Sequence, residues 1–291
     1  MFKIILAETW GFCFGVERAL RIVEKTSEKS EGPVKILNKI VHNASIVKKL
    51  EERSITSIKD LSEIEQGTLV ISAHGVAPQV KDDATKKGLN IVDTTCPLVT
   101  RIHKATQQFL DKGYTVILYG DKSHNEVKGV VGLAPDRIIV ANGPEEIDNL
   151  PVIEKPLALV SQSTQSLEGF DLMEQKLKDK YPNLEVENTI CEPTVKRQEA
   201  IAKLAPEVDM LIVVGSTISS NSQRLLELAL KYCPKSYLID GVEQIKIEWL
   251  KGIEKVGVTA GASTPAYLVK DVIESLYQIY EKHYLPKTVT I

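Results

Sequence analysis

The segment NIVDTTCPLVTRIHKATQQFLDKG, residues 90–113, places a β-strand and an α-helix on either side of Cys96. The apolar run at residues 90–94 predicts the strand. Pro97 suits the first position of a helix, and Gly113 suits the position just beyond its end. The residues between them form one apolar stripe at helical spacing: Leu98, Ile102, Ala105 and Phe109. Cys96 is therefore expected at the amino end of a helix, where free N–H groups and the helix dipole favour a thiolate.

Two further cysteines have the same surroundings. An apolar run ending at Leu6 precedes Cys13, and a run at residues 184–186 precedes Cys191. Roughly thirty residues after each cysteine a second apolar run ends in a polar loop, and a further run then ends in a third loop. The second loops are His42-Asn43, His124-Asn125 and Ser220-Asn221, and the third loops are residues 73–75, 162–164 and 261–263. This repetition predicts three equivalent units around one shared site, and three cysteines converging there indicate a metal or a metal cluster.

The order of predicted elements indicates the fold class. Strand-like runs alternate with helical patterns, which is typical of α/β proteins with mostly parallel sheets. We expect three α/β units related by a pseudo-threefold axis, each with a mostly parallel four-stranded sheet, around a central cavity. The units are expected at residues 14–96, 97–191 and 192–283. The third lacks a strand leading into a cysteine, so the N-terminal segment 1–13 is expected to complete it, and residues 284–291 are expected to form a tail.

Composition limits the classes of function. The chain has 291 residues, 43% of them hydrophobic and 26% charged, with a net charge of −3. This charge argues against non-specific nucleic-acid binding, which needs a basic surface. No run approaches the ~18 apolar residues of a membrane span, and the N-terminus lacks the apolar core of a signal peptide. Four cysteines without a tight framework favour a cytoplasmic protein with reduced thiols. The charge and the lack of a long apolar run predict that neither a nucleic acid nor a membrane is a partner.

The three repeated cysteines leave the kind of metal open. They could also be small buried hydrophobic residues, although their equivalent positions at helix starts argue against this. Structural zinc sites usually show local cysteine pairs, and iron–sulfur sites often show local runs, so the wide spacing here does not separate the metals. One thiolate from each unit would suit a cubane cluster whose fourth iron is open. Cys233 lies outside the repeat and is interpreted as a bystander.

The second and third loops supply polar groups of a different kind. They contain imidazoles, hydroxyls and an amide, which can surround a phosphate at the carboxyl ends of parallel strands. These candidate residues are His42, His74, His124, Ser163, Thr164, Ser219, Ser220, Asn221 and Ser263. Glu126 is the only carboxylate in these loops. It could be a solvated surface acid, or a proton donor whose pKa is raised by burial.

Taken together, the motifs resemble those of the 4-hydroxy-3-methylbut-2-enyl diphosphate reductases, the IspH or LytB family. The resemblance spans nearly the whole chain in the family's order. The motifs that carry it are Gly11-Phe12-Cys13-Phe14-Gly15-Val16, Val41-His42-Asn43, Ser72-Ala73-His74-Gly75-Val76, Asp93-Thr94-Thr95-Cys96-Pro97-Leu98-Val99, His124-Asn125-Glu126-Val127, Ile190-Cys191 through Arg197-Gln198, Ser219-Ser220-Asn221-Ser222 and Thr259-Ala260-Gly261-Ala262-Ser263.

The resemblance implies a reaction and assigns roles to residues. It implies a [4Fe-4S] cluster with an open fourth iron, held by Cys13, Cys96 and Cys191. It places Glu126, His124 and Thr164 near the allylic hydroxyl of the substrate, with Glu126 supplying protons. It assigns the substrate's diphosphate to His42, His74, Ser219, Asn221 and Ser263, with Ser220 nearby. The implied reaction is a two-electron reductive dehydroxylation, the last step of the non-mevalonate isoprenoid pathway. Its products are isopentenyl and dimethylallyl diphosphates, and its electrons would come from a ferredoxin or flavodoxin.

A few residues depart from the family's pattern. Ser163 stands where many members have threonine, Trp10 where arginine is expected, and Phe14 where a smaller residue is common. None of these departures removes a proposed ligand. Two other functions stay open: a phosphate-binding or redox-sensing protein on the same scaffold, and a zinc hydrolase.

Overall fold

The computed structural model describes residues 2–151 and 153–284. The chain forms two compact units: Phe14–Cys191 is one, and the other joins the segment up to Cys13 to the chain from Glu192 onward. Both junctions coincide with predicted unit boundaries. The further division of the larger unit into residues 14–96 and 97–191 stays a prediction. The predicted tail at residues 284–291 lies outside the described residues, apart from Tyr284.

Strands and helices alternate along the chain as predicted. The strands are β1 (Lys3–Leu6), β2 (Val34–Leu37), β3 (Ile55–Ile58), β4 (Thr68–Ile71), β5 (Asn90–Asp93), β6 (Thr115–Tyr119), β7 (Ile138–Ala141), β8 (Leu157–Ser161), β9 (Glu185–Val186), β10 (Met210–Val214), β11 (Ser236–Ile239) and β12 (Lys255–Ala260). The helices are α1 (Phe14–Lys29), α2 (Ala44–Glu51), α3 (Pro78–Lys86), α4 (Pro97–Asp111), α5 (Asn125–Val131), α6 (Leu167–Lys180), α7 (Glu192–Leu204), α8 (Ser220–Tyr232) and α9 (Ala266–His283).

The strands form three four-stranded sheets in which every pair is parallel. Their orders are β3-β2-β4-β5, β7-β6-β8-β9 and β11-β10-β12-β1. Each order, read in this direction, ends at the edge strand that leads into a cysteine, so the three sheets have the same topology. The predicted fold class, three four-stranded parallel sheets with helices, is therefore confirmed.

The N-terminal strand belongs to the C-terminal sheet. Lys3 lies opposite Lys255 and Leu6 opposite Val258, so β1 is the edge strand beside β12. The sequence predicts this pairing because the last repeat lacks its own fourth strand. As a result Cys13 follows an edge strand, as Cys96 and Cys191 do.

Helices cover both faces of the C-terminal sheet, which explains its continuously apolar strands. Met210, Ile212 and Val214 pack in one buried cluster with residues of α9. The alternate residues Leu211 and Val213 pack in a second cluster with residues of α7 and α8. Within the described part of the chain, none of the helices is long and apolar enough to cross a membrane.

Some local predictions need correction. In α4 the buried stripe contains Val99 and Leu110, whereas Leu98 and Phe109 are only half-buried. Strand β9 contains only Glu185–Val186, and three residues further on the Thr189 hydroxyl takes the place of backbone pairing with β8. It accepts the Ser161 N–H at 2.8 Å and donates to the Ser161 carbonyl at 2.6 Å.

Candidate active site

The three repeated cysteines occupy equivalent positions. Each follows the edge strand of its sheet and directly precedes a helix, and Cys96 is the N-cap of α4. Each backbone N–H donates to a carbonyl in the loop after the neighbouring strand: Cys13 to Ala262 at 3.1 Å, Cys96 to Ala73 at 3.0 Å and Cys191 to Ser163 at 3.0 Å. None of the three forms a disulfide with another described residue, and all three are partly exposed. Cys233, by contrast, is 3% exposed in the core beside α7 and α8, which fits a bystander.

The three acceptor carbonyls lie in three equivalent turns. In each turn the N–H two residues after the acceptor donates back across the loop: Gly75 to Ser72 at 3.1 Å, Gln165 to Gln162 at 3.3 Å and Thr264 to Gly261 at 3.0 Å. The residue following each acceptor carbonyl is a predicted site residue, namely His74, Thr164 or Ser263. Each cysteine is therefore hydrogen-bonded to the loop that carries one of these side chains.

Three histidines from separate loops form a cluster. The ring centroids of His42 and His74 are 4.5 Å apart, and those of His124 lie 5.2 Å and 5.3 Å from them. One ring nitrogen from each of the three lies within 4.8 Å of the others. The sequence singled out these histidines, and the fold brings them together.

The ring of His124 is fixed by the helix it caps. His124 is the N-cap of α5, and its Nδ1 accepts the backbone N–H of Glu126 at 3.2 Å. Because Nδ1 accepts this bond, the proton of the neutral ring lies on Nε2. The ring can therefore present an N–H donor to a ligand.

Burial disfavours the charged form of each histidine in this cluster. Burial lowers the pKa of His124 to about 4. Burial, followed by the neighbouring rings, lowers the pKa of His74 well below its usual value. Burial and then nearby Lys39 lower the pKa of His42. At pH 7 the neutral form of each imidazole is therefore favoured.

Glycines let α5 approach the loop that carries His74. A Cβ at Gly132 would collide with the Cβ of Ala77, and one at Gly129 would lie 3.3 Å from the backbone of Val76. Side chains at these two positions would push α5 away. The close approach keeps the amino end of α5, with His124, beside the His74 loop.

Glu126 is buried next to Ser163. It is 2% exposed, so the interpretation as a solvated surface acid is wrong. Its Oε1 accepts the backbone N–H of Ser163 at 2.6 Å, and its Oε2 accepts the Ser163 hydroxyl at 2.7 Å. Burial raises the pKa of Glu126 to about 7, although both bonds from Ser163 lower it. The carbonyl of Ser163 accepts the N–H of Cys191, so one residue joins the carboxyl group to a cysteine.

The remaining predicted residues lie in or beside the loops that the sequence indicated. Thr164 is half-buried, and its hydroxyl accepts Gln162 Nε2 at 2.9 Å. Ser219 is the N-cap of α8, and Ser220 is the first residue of that helix. Ser263 and Asn221 are buried. Neither amide atom of Asn221 has a hydrogen-bond partner among the described residues, which leaves it ready for a ligand.

Comparison with known proteins identifies the family. Residues 4–277 match the family described as LytB protein. This chain belongs to the LytB family. A curated relative named 4-hydroxy-3-methylbut-2-enyl diphosphate reductase, from Neorickettsia sennetsu, is 38% identical over 276 residues, covering 94% of this chain and 91% of the relative. A relative of the same name from Geotalea uraniireducens is also 38% identical, covering 95% of this chain and 98% of its own.

Solved structures agree with this assignment. The E-1-hydroxy-2-methyl-but-2-enyl-4-diphosphate reductase from Plasmodium falciparum has a TM-score of 0.89 at 35% identity, covering 93% of this chain and 86% of its own. A second solved structure, (E)-4-hydroxy-3-methyl-but-2-enyl diphosphate reductase, described as the terminal enzyme of the non-mevalonate pathway, has a TM-score of 0.68 at 36% identity. It covers 96% of this chain and 100% of its own.

Three arginines of this LytB chain make equivalent contacts that the sequence analysis did not predict. Each lies in the helix after one cysteine and donates to a carbonyl in the loop before the next cysteine in cyclic order. The bonds run from Arg18 to Thr95 at 3.2 Å, from Arg101 to Asn188 at 3.1 Å and from Arg197 to Gly11 at 2.5 Å. The sequence feature that could have indicated these contacts is a basic residue five or six positions after each cysteine.

The helix caps also correct the alignment of the second loops in this LytB chain. The sequence pattern aligned Asn43 with Asn125 and Asn221. The residues that cap the three helices are instead Asn43, His124 and Ser219. Counted from these caps, Glu126 and Asn221 occupy the same helical position.

Proposed function

We propose that this LytB chain reduces 4-hydroxy-3-methylbut-2-enyl diphosphate to isopentenyl and dimethylallyl diphosphates, the last step of the non-mevalonate pathway. The observation that carries the proposal is the connection from Glu126 through Ser163 to Cys191. It links a buried carboxyl group with a pKa of about 7 to a candidate metal ligand. The names of the relatives and the neutral histidine cluster support the same reaction.

The donor set fits an iron–sulfur cluster. Cys13, Cys96 and Cys191 are partly exposed cysteines at the amino ends of helices, where the helix dipole favours anionic groups. We propose that they hold a [4Fe-4S] cluster whose fourth iron is open. When bound, such a cluster supplies one-electron transfer and a Lewis-acidic iron for an alcohol oxygen.

The polar loops suit the diphosphate. Neutral imidazoles and hydroxyls donate hydrogen bonds to phosphate oxygens, and His124 holds its proton on Nε2 for this purpose. The buried amide of Asn221 gains a partner when an anion arrives. We assign the diphosphate to the histidines, serines and asparagine of these loops: His42, His74, Ser219, Ser220, Asn221 and Ser263.

The hydroxyl end of the substrate is assigned to His124, Thr164 and Glu126, with Ser163 as the residue that positions the carboxyl group. Glu126 holds a proton at neutral pH in a large fraction of molecules because its pKa is about 7. It can therefore protonate the departing oxygen, which leaves as water. The balance is one substrate, two electrons and two protons giving one alkenyl diphosphate and one water. The electrons come from a ferredoxin or flavodoxin in the cytoplasm.

The test is anaerobic turnover with an artificial reductant. Protein purified without oxygen should be brown, contain iron and sulfide, and convert the hydroxylated diphosphate when reduced methyl viologen is supplied. Glu126→Gln should keep the cluster and lose about 10²- to 10⁴-fold in rate, because a general acid contributes that much. Glu65→Gln, at an exposed loop position, is the matched control. Zinc-loaded protein, or unchanged turnover in Glu126→Gln, would contradict the proposal.

A further inference from the structure

The exposed side of α1 combines an aromatic ring with basic residues. Phe14, the first residue of α1, directly follows Cys13 and is 59% exposed. Arg18, Arg21 and Lys25 follow at positions that share its side of the helix. The buried residues of α1 lie on the opposite side: Gly15, Val16, Ala19 and Val23. Phe14, Arg21 and Lys25 are exposed, so packing in the core does not account for this part of the stripe.

Helix α4 repeats the arrangement after Cys96. Arg101 and Lys104 are exposed and follow Pro97 at helical spacing. A groove of about 570 Å³ is lined by Arg18, Arg101 and Lys104 together with other residues of the same unit. We call Phe14, Arg18, Arg21, Lys25, Arg101 and Lys104 the α1/α4 face.

Most acidic groups near the groove form ion pairs with basic residues of the same unit. Asp93 pairs with Lys81 at 2.7 Å, and Glu187 pairs with Arg101 at 3.4 Å. On α1, Glu24 pairs with Arg53 at 3.1 Å. Glu17 and Glu28 are exposed and lie on the same side of α1 as Glu24.

Three cations of the face remain available. Arg21, Lys25 and Lys104 form no ion pair with any described residue. The whole chain has a net charge of −3, so the positive charge of the face is local. A local basic patch on a net-acidic protein selects an acidic partner and steers its approach.

The α1/α4 face is also close, along the chain, to two candidate metal ligands. Phe14 is bonded to Cys13 through one peptide unit. Arg18 Nη1 donates to the carbonyls of Thr94 and Thr95, at 3.3 Å and 3.2 Å, and Thr95 precedes Cys96. A partner seated on the face would be separated from two cysteines by only a few bonds.

We propose that the α1/α4 face docks the protein that supplies the electrons, a small one-electron carrier with an acidic surface. The inference rests on the proposed function. Each docking event oxidises one reduced carrier and passes one electron to the enzyme. Two such events, with two protons, balance the release of one water per substrate. Phe14 provides the apolar centre of the interface, and the cations provide its rim.

The test separates docking from chemistry by comparing two reductants. Arg21→Glu and Lys104→Glu reverse charges on exposed residues that belong to neither the proposed cluster ligands nor the proposed substrate-binding residues. At low salt we expect each to lower kcat/KM for an acidic ferredoxin by about tenfold, mainly through KM. Turnover with reduced methyl viologen should not change. Lys270→Glu, an exposed helical lysine on α9, is the matched control and should change neither rate.

Phe14→Ala tests the apolar centre. It should raise the KM for ferredoxin without altering its dependence on salt, because it removes contact area and no charge. For the wild-type protein, kcat/KM for ferredoxin should fall as ionic strength rises, and the viologen rate should not.

Three outcomes would overturn the inference. These are unchanged ferredoxin kinetics in both charge-reversal variants, a wild-type ferredoxin rate that is insensitive to salt, or equal losses with ferredoxin and viologen in variants that retain their iron. Failure of the proposed function is distinguishable, because wild-type protein would then turn over with neither reductant. In that case ferredoxin binding to wild-type and Lys104→Glu protein, measured by calorimetry, still decides whether the face docks an acidic carrier.

Discussion

Arg197 donates a hydrogen bond from Nη2 to the carbonyl of Gly11 at a distance of 2.5 Å. Its Nη1 also donates to the carbonyl of Pro193 at 2.7 Å. Gly11 lies two residues before Cys13, and Pro193 lies two residues after Cys191. One guanidinium, 2% exposed, thus joins the loop before one candidate ligand to the first turn after another.

Replacing Arg197 should loosen the candidate cluster site. Arg197→Met leaves two carbonyls without their charged donor, which costs about 1–3 kcal/mol for each buried group. We expect iron content to fall and the free energy of unfolding to drop by a few kcal/mol. Arg197→Lys should have an iron content and a free energy of unfolding between those of the wild type and Arg197→Met, because one ammonium group does not reproduce the planar guanidinium. Iron analysis and denaturant unfolding measure both effects, and a fully iron-loaded Arg197→Met protein would show that the bond does not position Cys13.

The pH profile of turnover should report Glu126. Its pKa is raised to about 7, so the acid form dominates below that pH and is lost above it. With reduced methyl viologen, kcat should therefore fall toward tenfold per pH unit on the alkaline side. Ser163→Ala removes a hydroxyl bond that lowers this pKa, so the fall should move to higher pH.

Ser62→Ala, at an exposed position, is the control for Ser163→Ala. It should leave the pH profile unchanged. A profile in Ser163→Ala that overlays the wild type would mean that another group limits the rate on the alkaline side.

The four cysteines should separate into two classes. Cys13→Ser, Cys96→Ser and Cys191→Ser should each lower iron content and the visible absorbance of anaerobic protein, since each removes one proposed ligand. Cys233→Ser should keep both, because Cys233 is buried in the core at 3% exposure. Its cost should be limited to thermal stability. Equal iron loss in all four variants would point to misfolding instead of lost ligands.

Anion binding should draw protons into the histidine cluster. Burial keeps the pKa values of His42, His74 and His124 low, so the rings begin neutral at pH 7. A bound diphosphate favours the charged forms of His42 and His74 and raises their pKa values, whereas His124 stays neutral while its Nδ1 accepts the Glu126 N–H. Calorimetry of inorganic diphosphate binding in buffers of different ionisation enthalpy should show lower proton uptake for His74→Asn than for the wild type. Identical uptake would mean that the rings stay neutral in the complex.

Much of the fold was predictable because the chain repeats one pattern three times. The assignment of β1 to the C-terminal sheet followed from counting strands per repeat, and the pairing of Lys3 with Lys255 agrees with it. The apolar pattern predicted strand ends less reliably where a side chain takes the place of backbone hydrogen bonds. The Thr189 hydroxyl takes the place of backbone pairing after β9 ends, and nothing in the local apolar pattern signals this.

Residue types at the site were easier to predict than their contacts. The histidines, cysteines and Glu126 stood out by chemistry and position. Ser163 is a predicted substrate-binding residue, and nothing in the sequence indicated that its N–H and hydroxyl also donate to Glu126 and that its carbonyl accepts the Cys191 N–H. The arginine contacts join residues as far apart as Gly11 and Arg197, and a single sequence carries no direct record of such pairs.

The pairing of β1 with β12 has a consequence for biosynthesis. Strand β1 is synthesised long before β12, so its backbone hydrogen bonds to that strand can form only after residues 255–260 have been made. Such a distant contact closes late. We therefore expect Cys13 to reach its final environment only after translation has passed β12, so that nascent chains stalled before that point would fail to retain iron.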